Sequence, residues 1–125
     1  MAIKKFEDII AWQKAQDLAV IIYEKFRTHK DFGFKDQICR ATVSISNNIA
    51  EGFDRSSDKE FVRFLYIALG SASEVKSMIY LAERLLYISN EEKVSLTERV
   101  SEISKIIHGL INALAPKAYR LAPNS

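Results

Sequence analysis

The chain has 125 residues, 48% hydrophobic and 27% charged, with 18 Lys and Arg against 16 Asp and Glu. A chain of that size makes one domain that buries a core without a disulfide or metal staple, and the composition excludes a disordered or low-complexity protein. Charge is small and evenly spread along the sequence, so the basic tail or basic helix of a strong nucleic-acid binder is not seen.

Cys39 is the sole cysteine and has no internal disulfide partner. With no secretory hydrophobic segment at the N-terminus, the expected compartment is the cytosol. The longest apolar run, Leu18 to Tyr23, has six residues, against the ~20 of a membrane span.

In chain order, the first predicted helix covers about 8–28. Trp12, Ala15, Ala19, Ile22 and Phe26 recur at spacings of three and four and share one face. Ile9, Val20 and Tyr23 widen the apolar arc to roughly 200° of the wheel, more than one neighbouring surface covers. His29 to Gly33 reads as a turn, and a second helix follows over about 34–53. Ser57 with Glu60 forms a capping box that opens a third helix over about 58–87. Its main seam is Phe61, Phe64, Leu65, Ala68, Ala72, Val75, Ile79, Ala82 and Leu86, with a second apolar strip of Val62, Tyr66, Leu69 and Tyr80. Ser89 with Glu92 opens the fourth helix, about 90–115, which Pro116 is expected to end. Residues 117–125 read as a loose tail.

Four amphipathic helices on short turns make one all-α domain, an antiparallel up-and-down four-helix bundle. The fourth helix has a clean polar side, whereas the second and third are apolar on two sides. In so small a bundle, the second side is expected to meet another subunit. Gly70 in mid-helix, with Ser73 and Ser77 nearby, would let another backbone come close. The prediction is a homo-oligomer.

The second helix carries the residues of interest. Gln37, Arg40, Ser44, Asn47, Asn48, Glu51 and Arg55 fall within about 100° of one another at 3.6 residues per turn. Ile38, Thr42, Ile45, Ile49 and Phe53 take the core side, and Cys39, Val43, Ser46 and Ala50 form a strip of small residues. The stripe Gln37, Arg40, Ser44, Asn48, Glu51 and Arg55 reads in two ways. It is a binding surface for phosphates, bases or a peptide, or a polar network inside or between subunits that fixes their register. Glu51 and Arg55 are placed for an ion pair at i, i+4.

No catalytic set can be assembled. His29 and His108 lack His or Cys partners at ligand spacing, so neither a zinc site nor a di-iron bundle site is expected. Cys39 beside Arg40 reads as a small packing residue rather than a reactive thiolate. Catalytic, cofactor and metal residues are therefore expected to be none, and the protein is not expected to be an enzyme.

Ala11-Trp12-Gln13-Lys14-Ala15, Gln37-Ile38-Cys39-Arg40-Ala41 and the string from Ser44 through Asn47-Asn48-Ile49-Ala50-Glu51-Gly52 carry a resemblance that continues through Arg55, Phe61, Phe64, Leu65, Ala68-Leu69-Gly70-Ser71 and Glu74. On these residues the chain resembles the four-helix-bundle protein family of the 23S rRNA intervening sequence, over nearly its whole length. The resemblance implies a homopentamer around a central channel, with no catalytic residues. Related proteins serve as accessory subunits of diversity-generating retroelements, where a basic pentamer contacts nucleic acid and a reverse transcriptase. Two departures stand out: the family usually has a second Arg where Cys39 stands and a Pro where Ser46 stands. The first weakens a basic surface on the second helix. Two functions thus stand side by side: an oligomer associated with RNA, other nucleic acid or the ribosome, and a protein-interaction scaffold with no nucleic-acid role.

Overall fold

A computed structural model of the chain describes residues 3–118. Among these residues the fold is all-α, with a single 3-10 turn at Phe6–Asp8 followed by α1 (Ile10–Phe26), α2 (Phe32–Phe53), α3 (Asp58–Arg84) and α4 (Asn90–Ala118). Each helix packs on its two neighbours in the cycle α1–α2–α3–α4–α1. Cross-helix pairs fix the directions. Lys14 reaches Glu102 and Lys25 reaches Glu92, Gln16 reaches Ser46 and Phe26 packs on Phe34, Gln37 reaches Glu74 and Ser44 reaches Ser71, and Lys76 reaches Ser101 and Glu83 reaches Lys93. In every case the number rises on one helix as it falls on the other, so adjacent helices are antiparallel.

The core follows from the helical periods. Ala11, Ala15, Leu18, Ile22 and Phe26 of α1 meet Ile38, Ile45 and Ile49 of α2, Leu65, Ala68, Ala72, Val75 and Ile79 of α3, and Val100, Ile103 and Ile107 of α4, all buried. Thr42 is buried without loss because its hydroxyl donates to the Ile38 carbonyl at 2.7 Å, one turn back. Gly52 lets α2 and α3 close on each other. A Cβ there would lie 2.5 Å from the Phe64 Cβ, so no larger residue fits without moving a helix.

The helix ends depart from the sequence expectation in instructive ways. Asp31 caps α2 by accepting from the Phe34 N–H at 3.1 Å, so the helix starts at Phe32 rather than Phe34. The Ser89 box is reciprocal: the Glu92 N–H donates to Ser89 Oγ at 3.1 Å, and the Ser89 N–H donates to the Glu92 carboxylate at 2.8 Å. At Ser57 only half of the box forms, because the Glu60 carboxylate is engaged with Arg63 instead. α3 stops at Arg84, short of Tyr87. There the Tyr87 N–H bonds the Ala82 carbonyl and the Leu86 N–H bonds the Glu83 carbonyl, a Schellman ending with Leu86 in the left-handed position, φ 63°. Leu86 therefore leaves the seam assigned to it and faces solvent. α4 passes through Pro116, beyond the expected end at Ala115, and is helical up to Ala118, the last described residue. The missing N–H leaves the Asn112 carbonyl without its helical partner, at an exposed position where such a loss is cheapest. Of the expected tail, 117 and 118 are helical and 119–125 lie outside the described residues.

Candidate functional site

The polar stripe of α2 lies along the surface beside α3. Ser44 and Asn48 are half-buried, while Gln37, Arg40, Glu51 and Arg55 are exposed. Three separate contacts organise it. The Gln37 amide donates to Glu74 of α3 at 3.3 Å. Ser44 bonds Ser71 of α3 at 2.9 Å, and the Asn48 amide donates to both the Ser44 carbonyl and its hydroxyl, at 2.8 and 2.9 Å. Glu51 pairs with Arg55 at 2.9 Å. Arg40 has no side-chain partner among the described residues. The network is thus a surface seam between α2 and α3 and is not buried within one protomer. The α2 polar groups that are buried, Thr42 and Ser46, point elsewhere, and Ser46 accepts from Gln16 of α1 at 3.0 Å.

Arg55 continues into a second arrangement. Its guanidinium and that of Arg63 both lie 4.7 Å from the Phe64 ring centre, and each arginine is paired to a carboxylate of its own, Glu51 and Glu60. These cations hold down the buried Phe64 ring, and their charge is already matched.

Next to the seam, the outer face of α3 is uncovered. Tyr66 is 57% exposed, and Ile67, Tyr80 and Leu81 are exposed on the same side. Gly70 lies among them with nothing within 4 Å of where a Cβ would be. The second strip assigned to α3 from its sequence is therefore divided. Val62 and Leu69 turn inward, and the outward apolar residues Tyr66 and Tyr80 are joined by Ile67 and Leu81. A second uncovered apolar set, Ile10, Val20 and Tyr23, lies on α1.

The reactive side chains are occupied. Cys39 is buried, and burial pushes its thiol above the ordinary range, the opposite of an activated thiolate. His29 accepts the Asp31 N–H on Nδ1 at 3.1 Å and packs against Tyr87 with ring centroids 4.2 Å apart. The Tyr87 hydroxyl donates to the other Asp31 oxygen at 2.6 Å. This clasp ties the α1–α2 connection to the α3–α4 connection. The Tyr87 hydroxyl, helped by the Phe34 N–H and by His29, holds the Asp31 carboxyl below the usual carboxylate range.

An open groove of about 470 Å³ runs between α3 and α4, with Lys76, Tyr80, Ser101, Glu102 and Lys105 among its walls. Lys76 is hydrogen-bonded to Ser101 at 3.1 Å and Glu102 is paired with Lys14. Among the described residues no three His, Cys, Asp or Glu side chains gather as a metal set, and no helix is long and apolar enough to cross a membrane.

Periodicity placed the stripe on one helix face but could not say that α3 borders it. The close approach at Gly52, the clasp and the outward turn of Leu86 leave no such periodic signal. The first depends on how near α3 comes, and the second joins residues 56 apart in the chain.

A family model for 23S rRNA-intervening sequence proteins matches residues 7–109. Among solved structures, a protein of unknown function from the S23 ribosomal protein family of Bacteroides thetaiotaomicron is similar over 82% of this chain and 98% of its own, with 31% identity and a TM-score of 0.76. No curated protein matches the sequence.

Proposed function

The chain belongs to the 23S rRNA-intervening sequence protein family, and from that premise we propose that it acts as a non-catalytic homo-oligomer, a ring of five copies that contacts RNA. The observation that carries the assembly is the uncovered outer face of α3, with Tyr66, Ile67, Tyr80 and Leu81 around the open Gly70. A ring closed head to tail needs two unlike faces on each subunit. The α3 face and the α1 face of Ile10, Val20 and Tyr23 supply them. The number five comes from the family resemblance.

α2 and α4 each lie between α1 and α3 in the bundle cycle, so in such a ring one faces the channel and the other the outside; on this reading the polar stripe of α2 faces the channel. Arg40, exposed and unpaired among the described residues, is then repeated around that channel as the phosphate contact. A non-catalytic role is supported by the engagement of Cys39, His29 and Asp31 in packing and hydrogen bonds. The working compartment on this reading is the cytoplasm.

A second reading, a protein-interaction scaffold with no nucleic-acid role, is favoured by charge pairing. Lys14, Lys25, Arg55, Arg63 and Lys93 all have carboxylate partners, and 18 Lys and Arg stand against 16 Asp and Glu over the chain, so no large excess of positive charge is offered to a polyanion. Light scattering and RNA anisotropy over a salt series on the purified protein separate the readings. The proposed function predicts an oligomer that Ile67→Asp breaks into folded protomers. It also predicts RNA affinity that falls steeply with salt and that Arg40→Ala lowers several-fold. A wild-type monomer at micromolar concentration refutes the assembly. An intact oligomer that retains no RNA at low salt leaves the scaffold.

A further inference from the structure

Two apolar side chains at one end of the bundle stand largely in solvent; the Lys35 ammonium lies 5.7 Å from the centre of one of them, the Phe32 ring. Leu86 holds the left-handed φ of 63°, where a leucine is disfavoured and glycine or asparagine is the usual choice, and it is 89% exposed. Phe32, the first residue of α2, is 69% exposed. Strain and solvent exposure at a single apolar residue point to a surface that is covered when the protein works.

The two chain segments that carry them are tied together. Asp31 and Tyr87, their neighbours in sequence, are hydrogen-bonded at 2.6 Å, and His29 packs on the Tyr87 ring. The end is therefore organised before anything meets it, which lowers the cost of association.

The charges around it indicate what fits. Arg27, Lys30 and Arg84 are exposed there without side-chain partners among the described residues, and so are Asp36 and Glu91. Mixed signs in one small area do not match RNA or a peptide of a single charge. They match the same surface turned over by a two-fold axis, cation facing anion.

We propose that this end of the bundle docks onto the same end of a second copy, so that two rings stack through Leu86 and Phe32. The stacking rests on the ring reading above. Two side chains of this size present on the order of 300 Å² per protomer, and one pair of protomers falls short of the roughly 1,200 Å² of a stable interface. A ring repeats the contact once per subunit and so reaches that area.

The test compares the full chain with Leu86→Asn and with the double variant Phe32→Ser, Leu86→Asn, by native mass spectrometry and light scattering, with far-UV circular dichroism as the fold control. Asparagine tolerates the left-handed conformation, and neither position is buried in the protomer. The expected result is that the folded double variant has half the copy number of the wild type. A folded double variant at the wild-type copy number overturns the stacking and assigns these side chains to a different partner, while the ring stands. A wild-type monomer overturns the ring and the stacking together. If the double variant does not fold, Leu86→Asn alone decides, and an unchanged copy number again overturns the proposal.

Discussion

Gly52→Ala is the sharpest test of how α2 and α3 come together. In an ordinary helix interior the substitution is favourable, by about 1 kcal/mol of helix propensity. Here the new methyl would sit 2.5 Å from the Phe64 Cβ, 3.1 Å from Phe61 Cδ1 and 3.3 Å from Phe64 Cγ. Carbon atoms pack at about 3.5–4.0 Å, so the overlap with the nearest atom is about 1 Å. That atom is bound directly to the α3 backbone and cannot swing away. Relief requires α3 to shift, and Phe61, Phe64, the Arg55 and Arg63 guanidiniums and Phe53 all pack at this point. Overpacking of this severity costs about 3 kcal/mol, which leaves a net loss of about 2 kcal/mol after the propensity gain. For a chain of this length that lowers the melting temperature by roughly 8 °C. The assay is thermal and urea unfolding at one fixed protomer concentration, since self-association makes the midpoint depend on it. A Gly52→Ala protein as stable as the wild type would mean that α2 and α3 do not approach this closely.

Leu86→Gly should stabilise the dilute protomer by about 1 kcal/mol, because it relieves a left-handed leucine that buries nothing; an unchanged or lower urea midpoint would contradict that geometry. Tyr87→Phe keeps the ring packing and removes the hydroxyl that donates to Asp31. The folded-state pKa of Asp31 lies below its unfolded value, so its contribution is complete above pH of about 3.9 and is lost as pH falls through the folded value. Urea unfolding at pH 7 and pH 3 should therefore show a smaller acid-induced loss in Tyr87→Phe than in the wild type, and equal losses would remove Tyr87 as the main cause of the shift.

What could be read from the sequence was what repeats along it. The three-and-four spacing through Ala15, Ile22 and Phe26, or through Val100, Ile103 and Ile107, identifies helices and their core faces because each face needs only its own helix. Ser89 with Glu92 is legible for the same reason, both partners being within one turn. The outer face of α3 was half legible. Tyr66 and Tyr80 were separated from the seam, but Val62 was placed with them although it is buried. A wheel fixes angles about one axis and not where the next helix lies. Extending the period past Arg84 puts Leu86 on the seam, but the Schellman turn ends the helix before it. The stripe on α2 was seen as a set, but its division into a seam with α3, an ion pair and the solitary Arg40 depends on α3 itself.

The clasp of His29, Asp31 and Tyr87 also bears on how the chain folds. Its hydrogen bond joins residues 56 apart, whereas each pair of consecutive helices is linked by a short connection. The α1–α2 and α3–α4 hairpins can each form from local contacts, but the clasp closes only when the two hairpins have met. It therefore belongs to the late side of the folding barrier. Weakening it should leave the folding rate nearly unchanged and speed unfolding, so this small polar cluster works chiefly as a brake on the opening of the bundle.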